Sequence, residues 1–325
     1  MSEASSPAIH RRQILTGGAA ATVAGLVSAG VVYGQDQTST SGKADTLVTP
    51  PEGKQILLSV KLGMIASKLN GKPVSLTDRL SMAADAGLDG VDFDQAGKRT
   101  IEEAREAVRS SGVFVHNAIN HDHWKKRFTS PNEKDRQAAH DNLAHCIRLS
   151  HAAGGNGVLL VPGAGKDGTP EECAARATAG IRALIPLAAS LGQPILFENV
   201  WNQMFYDHGT PAPPEQSVDG HVAFIDGFNS AWVGQYFDIG NHWKYGQPGD
   251  WIRGLGRRCV KLDVKGFSRA ERKFKDIGDG DLPWDDVRAA LAEINFTGWA
   301  TAEVGGGDVV RLTVVREKME KVFGL

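Results

Sequence analysis

The sequence predicts an α/β protein that folds as a single-domain (β/α)8 TIM barrel, and three observations support this. Eight short apolar runs alternate with helical patterns from Ile56 to the C-terminus. Such alternation favours parallel strands joined by crossover helices. Eight strand candidates in about 270 residues fit a closed barrel. An open doubly wound sheet is the alternative, but no Gly-x-Gly-x-x-Gly fingerprint opens a helix after the first strand.

The strand candidates are short and largely apolar, as expected for buried parallel strands. They are Ile56–Leu62, Gly90–Phe93, Val113–Asn117, Gly157–Val161, Pro194–Glu198, Trp232–Asp238, Cys259–Lys265 and Trp299–Val304. Between them, three hydroxyl residues each precede an acid by three positions, which is typical of helix N-termini. These residues are Ser75, Thr100 and Thr169. Glycines at 87, 112 and 192 stand where helices are expected to end.

Composition excludes several classes of protein. The 325 residues include 36 basic and 38 acidic side chains, a balance that argues against a dedicated nucleic-acid binder. The absence of a strongly apolar run of about 18 residues with flanking anchors excludes a multi-span membrane protein. Three cysteines, Cys146, Cys173 and Cys259, are too scattered for a disulfide framework or a thiolate zinc site. We expect them to be small core residues.

The N-terminal segment predicts export. Arg11 and Arg12 directly precede a weakly apolar stretch rich in glycine and alanine, so residues 1–34 resemble a twin-arginine signal. Cleavage near Ala29 or Gly34 is expected, or retention of the segment as a membrane anchor. The expected partner of this segment is the twin-arginine export machinery, and the expected location is the periplasm or the membrane surface.

The segment between the predicted signal and the barrel has a different composition. Residues 35–55 are rich in serine, threonine, glycine and proline, which predicts a disordered linker. The barrel domain is then expected to cover residues 56–325.

Acidic residues lie at the ends of the last four predicted strands, where barrel enzymes place their chemistry. They are Glu198, Asp238, Asp263 and Glu303. Each follows apolar residues, and a carboxylate at that depth costs several kcal/mol unless it is paired or bound to a cation. The pattern predicts one divalent metal ion, and oxygen ligands favour Mn²⁺ or Mg²⁺. Alternatively, each acid caps a helix or pairs with a lysine such as Lys61, Lys261 or Lys265.

Four motifs carry a resemblance to a known family. They read Glu198-Asn-Val-Trp-Asn, Tyr236-Phe-Asp-Ile-Gly-Asn, Trp251-Ile-Arg-Gly-Leu-Gly-Arg-Arg and Gly298-Trp-Ala-Thr-Ala-Glu-Val. Together they resemble the xylose-isomerase-like sugar isomerase/epimerase family, which includes hydroxypyruvate isomerases and ketose 3-epimerases. Leu159–Gly163 and His123-Trp124 are similar to an exported branch of it.

The resemblance implies a function and a ligand set. The family holds one divalent cation with glutamate, aspartate, histidine and glutamate on strands five to eight. Carried over, these are Glu198, Asp238, the position of Asp263, and Glu303. It also implies that Glu198 and Glu303 are the catalytic acid and base, which move a proton beside a carbonyl through an enediolate. The substrate would be a sugar, a keto-sugar or a small hydroxy-carbonyl compound.

The seventh strand departs from the family pattern. The usual Lys-x-His-x-Lys-Asp is here Lys261-Leu262-Asp263-Val264-Lys265-Gly266, so aspartate replaces the ligand histidine and glycine replaces the following aspartate. Either Asp263 completes an all-oxygen metal site, or the protein is a periplasmic barrel that binds sugar without turning it over. A metal-dependent lyase acting on 3-keto-glycosides is a further alternative.

Several residues are expected to contact the substrate. They are His116, His123, Trp124, Trp201, Asn202 and Asn241. A tryptophan beside polar groups suits a sugar, which has apolar ring faces as well as hydroxyls. For His116 and Trp124 the alternative is ordinary packing at the barrel rim. No nucleic-acid partner is expected, and a homo-oligomer is left open.

Overall fold

The computed structural model describes residues 54–206 and 216–325. The predicted signal, and the predicted linker as far as residue 53, lie outside the described residues.

The predicted barrel is confirmed. Eight parallel strands close in the order β1-β8-β7-β6-β5-β4-β3-β2. They are β1 (Ile56–Lys61), β2 (Gly90–Phe93), β3 (Val115–Ile119), β4 (Val158–Leu160), β5 (Ile195–Glu198), β6 (Val233–Asp238), β7 (Cys259–Val264) and β8 (Gly298–Ala302). β1 pairs with β8 on one side and with β2 on the other, which closes the barrel.

All eight strands lie where the sequence predicted them, with one shift that matters. The third strand begins at Val115 and ends at Ile119, two residues later than expected. Gly112 ends the preceding helix with φ of +69°, and Val113 and Phe114 still belong to the connection. His116 is therefore the second residue of β3, inside the barrel, instead of standing near the strand's end.

Helices surround the strands. They are α1 (Leu76–Asp85), α2 (Ile101–Ser111), α3 (Glu133–Ala152), α4 (Pro170–Arg182), α5 (Ile185–Ser190), α6 (Asp219–Asp226), α7 (Ile239–Trp243), α8 (Pro248–Leu255), α9 (Trp284–Glu293) and α10 (Val309–Phe323). Short 3-10 turns occupy Leu62–Met64, Ala96–Lys98, His121–Trp124, Gly165–Asp167 and Gly256–Arg258.

The predicted helix starts are confirmed. The Ser75 and Thr100 hydroxyls each accept a hydrogen bond from the backbone N–H three residues on. In the cap of α4, Thr169 accepts from Glu172 N at 3.2 Å, while the Glu172 carboxylate accepts from Thr169 N at 3.0 Å. This reciprocal pair satisfies two backbone donors that would otherwise lack partners at the helix start.

Two antiparallel hairpins extend from the barrel and were not predicted. One pairs Lys68–Leu69 with Lys72–Pro73, and the other pairs Gly266–Ser268 with Lys273–Lys275. The second, which we call the β7 hairpin, follows β7 directly. Within residues 54–206 and 216–325, no helix combines the length and apolar character needed to cross a membrane.

The interior of the barrel contains polar side chains in the layer below the strand ends. Ser59 Oγ lies 2.8 Å from Thr301 Oγ1, and the Tyr236 hydroxyl donates to Asp92 Oδ2 at 3.0 Å. The three cysteines are buried and free, as expected for core residues. The hydrogen bonds of Ser59 and Tyr236 join side chains from several strands in the layer below the site.

Candidate active site

Four carboxylates converge at the C-terminal ends of β5 to β8. Each contributes an oxygen that lies within 4.8 Å of the others. Glu198 and Asp238 are the last residues of β5 and β6, and Asp263 is directly opposite Asp238 in the β6–β7 register. Glu303 follows β8 by one residue. Consecutive parallel strands thus bring together acids that are up to 105 positions apart in the sequence.

Two lysines pair with these acids. Lys265 Nζ lies 2.8 Å from Asp238 Oδ2 and 2.5 Å from Glu303 Oε2. Lys61 Nζ lies 2.8 Å from Asp263 Oδ2 and 3.9 Å from Glu303 Oε1. The third candidate lysine, Lys261, points into the barrel and donates to the His116 carbonyl at 2.6 Å. Pairing with lysine is therefore confirmed for two of the three candidates.

The environment separates the acidities of the carboxyl groups. Burial, reinforced by the charges of Asp263 and Glu303, raises the pKa of Glu198 well above its ordinary value. Burial also raises the pKa of Asp263 well above its usual range, despite Lys61. Burial opposes ionisation of Glu303 too, but Lys61 and Lys265 outweigh it and lower its pKa to about 2. Carboxyl groups whose pKa values differ in this way suit acid and base roles at one site.

The donor set suits a hard divalent cation. Asp263 Oδ1 is buried and has no hydrogen-bond partner among the described residues. Asp238 uses Oδ1 to cap α7, accepting from Asn241 N at 2.8 Å, and turns Oδ2 toward Lys265. The predicted cap and the predicted site are therefore compatible for this residue. Carboxylate oxygens at this spacing are the ligands that Mg²⁺ and Mn²⁺ prefer.

A cavity of about 240 Å³ opens above the carboxylates. Of the residues expected to contact a substrate, four line it: His123, Trp124, Trp201 and Asn241. Glu198 and Glu303 form part of the same wall, together with both paired lysines. The predicted acids and most of the predicted contact residues are thus brought to one place.

The lining side chains are held in defined positions. Trp201 Nε1 donates to the Asn241 carbonyl at 2.8 Å, and its ring stacks on Phe274 with centroids 4.8 Å apart. His123 is buried, and burial lowers its pKa to about 3, so it is neutral near pH 7. Trp124 is 46% exposed at the mouth and meets the His123 ring edge-on. Its side chain faces the cavity entrance, not the core.

His116 and Asn202 do not reach the cavity, which corrects the expectation that they contact a substrate. His116 is fully buried, 2.9 Å from Ser59 Oγ and stacked on Trp299 at 4.2 Å. Asn202 donates to the Gly163 carbonyl and accepts from Met204 N, so it braces the loop after β5. Ordinary packing, the alternative for His116, is what the structure shows.

Sequence reasoning missed several residues of the wall, among them Asp94, His121 and Phe274. Asp94 accepts from Gly63 N at 2.8 Å and lies 3.6 Å from His121 Nε2. Asp94 follows the second strand immediately, so the rule that found the other acids could have found it. Phe274 comes from the β7 hairpin, whose polar sequence gives no strand signal.

The sequence matches a family model described as "Xylose isomerase-like TIM barrel" over residues 80–321. The chain belongs to this family. A comparison with curated proteins gives no match.

Solved structures share the fold of this xylose isomerase-like barrel. D-allulose 3-epimerase from Methylomonas sp. in complex with D-allulose is 16% identical, with a TM-score of 0.59 over 78% of this chain and 85% of that chain. 3-keto-D-glucoside 4-epimerase from E. coli is 13% identical, with a TM-score of 0.64 over 83% of this chain and 100% of that chain. D-psicose 3-epimerase in the presence of D-fructose is 15% identical, with a TM-score of 0.63 over 83% of this chain and 100% of that chain. At these identities the likeness establishes the fold.

Proposed function

We propose that this protein is a sugar isomerase or epimerase that moves a proton at the carbon beside a carbonyl, through an enediolate of the substrate. One divalent cation, Mn²⁺ or Mg²⁺, would be held by Glu198, Asp238, Asp263 and Glu303. The observation that carries the proposal is the convergence of these four oxygens within 4.8 Å beside a cavity with an aromatic rim, whose wall includes Glu198 and Glu303. Family membership and the epimerases of like fold support it.

The catalytic roles follow from position. When bound, the cation supplies Lewis-acid polarisation of a substrate carbonyl. Glu198 ends β5 and Glu303 follows β8, and β6 and β7 separate these strands. The two glutamates therefore approach the cavity from different sides, so one can remove a proton and the other can return one. Lys265, which contacts Glu303, holds that carboxylate in its ionised form.

The rim suits a sugar. Trp201, Trp124 and Phe274 present aromatic surface, while Asn241 and the two lysines offer polar groups. Aromatic faces pack against the apolar face of a sugar ring, and polar groups can take its hydroxyls. We assign substrate contact to His123, Trp124, Trp201 and Asn241.

The test is solvent exchange. The Mn²⁺-loaded protein is incubated in D₂O with D-allulose or D-fructose, and deuterium in the sugar is followed by NMR. Glu198→Gln and Glu303→Gln should each slow exchange by about 10²–10⁴-fold, the usual contribution of a general acid or base. Glu102→Gln, on the exposed face of α2, is the matched control. Sugar binding without any exchange by the ion-loaded wild type would point to the non-catalytic barrel instead.

A second candidate is a lyase acting on 3-keto-glycosides, and one observation favours it. A groove of about 600 Å³ adjoins the cavity, shares Lys265, Phe274 and Glu303 with it, and continues to Asp276 and Arg311. This groove has room for the second half of a glycoside. Adding a 3-keto-glucoside to the same assay separates the two activities, because only the lyase releases the aglycone.

We also propose that residues 1–34 direct twin-arginine export to the periplasm and that residues 35–55 tether the barrel. Lysine substitution of both Arg11 and Arg12 should leave the protein in the cytoplasmic fraction. Unchanged export of that variant would contradict the proposal.

A further inference from the structure

We propose that Lys61 is a built-in cation of the carboxylate site, matched to Asp263, which neutralises one acid and leaves the site with the charge of one divalent ion to bind. The inference rests on the proposed function for the identity of the ion. It adds a residue from β1, which β8 separates from β7, to the site. It also explains why β7 carries an aspartate at position 263.

The geometry places Lys61 for this role. Lys61 ends β1, and β8 lies between β1 and β7 in the closed barrel. The ammonium group reaches past β8 to Asp263 Oδ2 at 2.8 Å. The side chain of Lys61 is 6% exposed and that of Asp263 is fully buried. Two buried opposite charges at this distance depend on each other, because either alone would lack compensation.

The two carboxylate oxygens of Asp263 have different surroundings. Its Oδ2 is taken by Lys61, whereas its Oδ1 is buried without a hydrogen bond to any described residue. An unpartnered buried carboxylate oxygen is costly. Asp238 Oδ2 is also buried without a hydrogen bond within the described chain, but it lies 2.8 Å from Lys265 Nζ. Asp263 Oδ1 has no such ion pair among the described residues and is free to bind an ion in the four-acid cluster.

The charge count supports the same conclusion. Four carboxylates face two ammonium groups, so the site with all four acids ionised, as ion binding requires, and with both lysines charged carries two net negative charges. One divalent cation balances that charge. Lys265 forms ion pairs with Asp238 and Glu303. Among the described residues, the lysine that forms an ion pair with Asp263 is Lys61.

The first arm of the test is a double-mutant cycle for unfolding without added ion. Lys61→Met strands a buried carboxylate, and Asp263→Asn strands a buried ammonium group. Each should lower the midpoint of thermal unfolding by roughly 10 °C. The double variant should recover most of this loss, because neither stranded charge remains. If Asp263→Asn fails to fold while the double variant folds, the coupling is shown in a stronger form.

The matched control is the ion pair of Arg109 and Glu106 on α2, which lie 2.7 Å apart with side chains 66% and 58% exposed. Arg109→Met, Glu106→Gln and their combination should each move the midpoint by about 2 °C or less, as exposed ion pairs do. Additive losses in the Lys61 and Asp263 cycle, like those of the control, would overturn the proposal.

The second arm measures Mn²⁺ binding by titration calorimetry. Lys61→Met should bind one Mn²⁺ at least as tightly as the wild type, because a competing cation has gone. Asp263→Asn should bind about tenfold more weakly or worse, and adding Lys61→Met should restore part of this loss. Loss of Mn²⁺ binding in Lys61→Met alone would overturn the charge-matching role. Lack of Mn²⁺ binding by the wild type would overturn the proposed function, while the unfolding cycle still decides the pairing.

Discussion

His221, on α6, shows how this fold keeps a single residue neutral. The side chain is 3% exposed, with Nε2 against Gln235 Oε1 and with the rings of Phe205 and Trp251 beside it. The titratable residue nearby is His242, whose pKa burial lowers to about 3. Burial lowers the pKa of His221 to about 4. Protonation of this ring would place a positive charge in an apolar pocket.

The sign of the resulting pH dependence follows from linkage. The folded pKa of His221 lies below the unfolded value near 6.5, so the unfolded chain binds the proton first as pH falls. The stability that neutral His221 supports is complete above about pH 6.5 and is lost between there and pH 4. This loss should amount to about 3 kcal/mol. The free energy of unfolding should be measured with urea at pH 7 and at pH 4. Between these two pH values, His221→Gln should lose about 3 kcal/mol less unfolding free energy than the wild type. His140→Gln on α3 should behave as wild type. Parallel pH profiles for both variants would refute this.

At the residue scale, the sequence was informative where one physical rule sufficed. A carboxylate after an apolar strand is costly, so Glu198, Asp238 and Glu303 stood out without any coordinates. His116 was placed wrongly because two residues of strand register decide whether a side chain enters the barrel or reaches its mouth. Lys61 could be named as a candidate, but its choice of Asp263 depends on barrel closure, which local sequence does not contain.

The β7 hairpin explains a departure from the family pattern at the scale of one element. Gly266 stands where the family has an aspartate, and a Cβ atom there would lie 2.1 Å from the Asp276 carbonyl and 2.6 Å from that of Asp279. The returning chain therefore occupies the space of the missing side chain. The same hairpin carries Phe274 onto Trp201 at the cavity wall.

This packing makes Gly266→Ala a sharp test of the hairpin. The new methyl group meets backbone, which cannot swing aside, so the substitution should cost about 1–3 kcal/mol of unfolding free energy. It should also weaken sugar binding, because Phe274 moves with the hairpin. Gly220→Ala is the matched control: nothing lies within 4 Å of the added atom, and stability should rise by about 0.5–1 kcal/mol. Chemical denaturation measures the first effect and sugar titration the second. A Gly266→Ala protein as stable as wild type would show that the backbone at Asp276 and Asp279 moves aside without cost.

Elements differ in how far local sequence determines them. The caps at Thr100 and Thr169 are set by residues three positions apart, and both were predictable. The β7 hairpin has no alternating apolar pattern, and its place is fixed by the contacts of Gly266 with Asp276 and of Phe274 with Trp201. Those contacts join segments that meet only after the barrel has formed, so no local sequence pattern predicts them.

At the scale of the whole molecule, the proposed ion would join one half of the barrel. Its ligands come from β5 to β8, and Lys61 links the same cluster to β1 across the closing pair. β2 to β4 contribute no acid to the four-carboxylate cluster. Binding should therefore stabilise the molecule unevenly, because an ion protects most the segments whose opening would release it.

Hydrogen exchange should reveal this asymmetry. With Mn²⁺ at about 100 times its dissociation constant, binding adds about 2.7 kcal/mol to the stability of the liganded state. Amides of β5 to β8 and of β1 should then exchange up to about 100-fold more slowly than in chelator, with a smaller change in β2 to β4. Glu198→Gln should shrink the effect, and Glu102→Gln should leave it intact. Equal slowing in every strand would mean that the barrel opens only as one unit, and no slowing in β5 to β8 would mean that these carboxylates hold no ion.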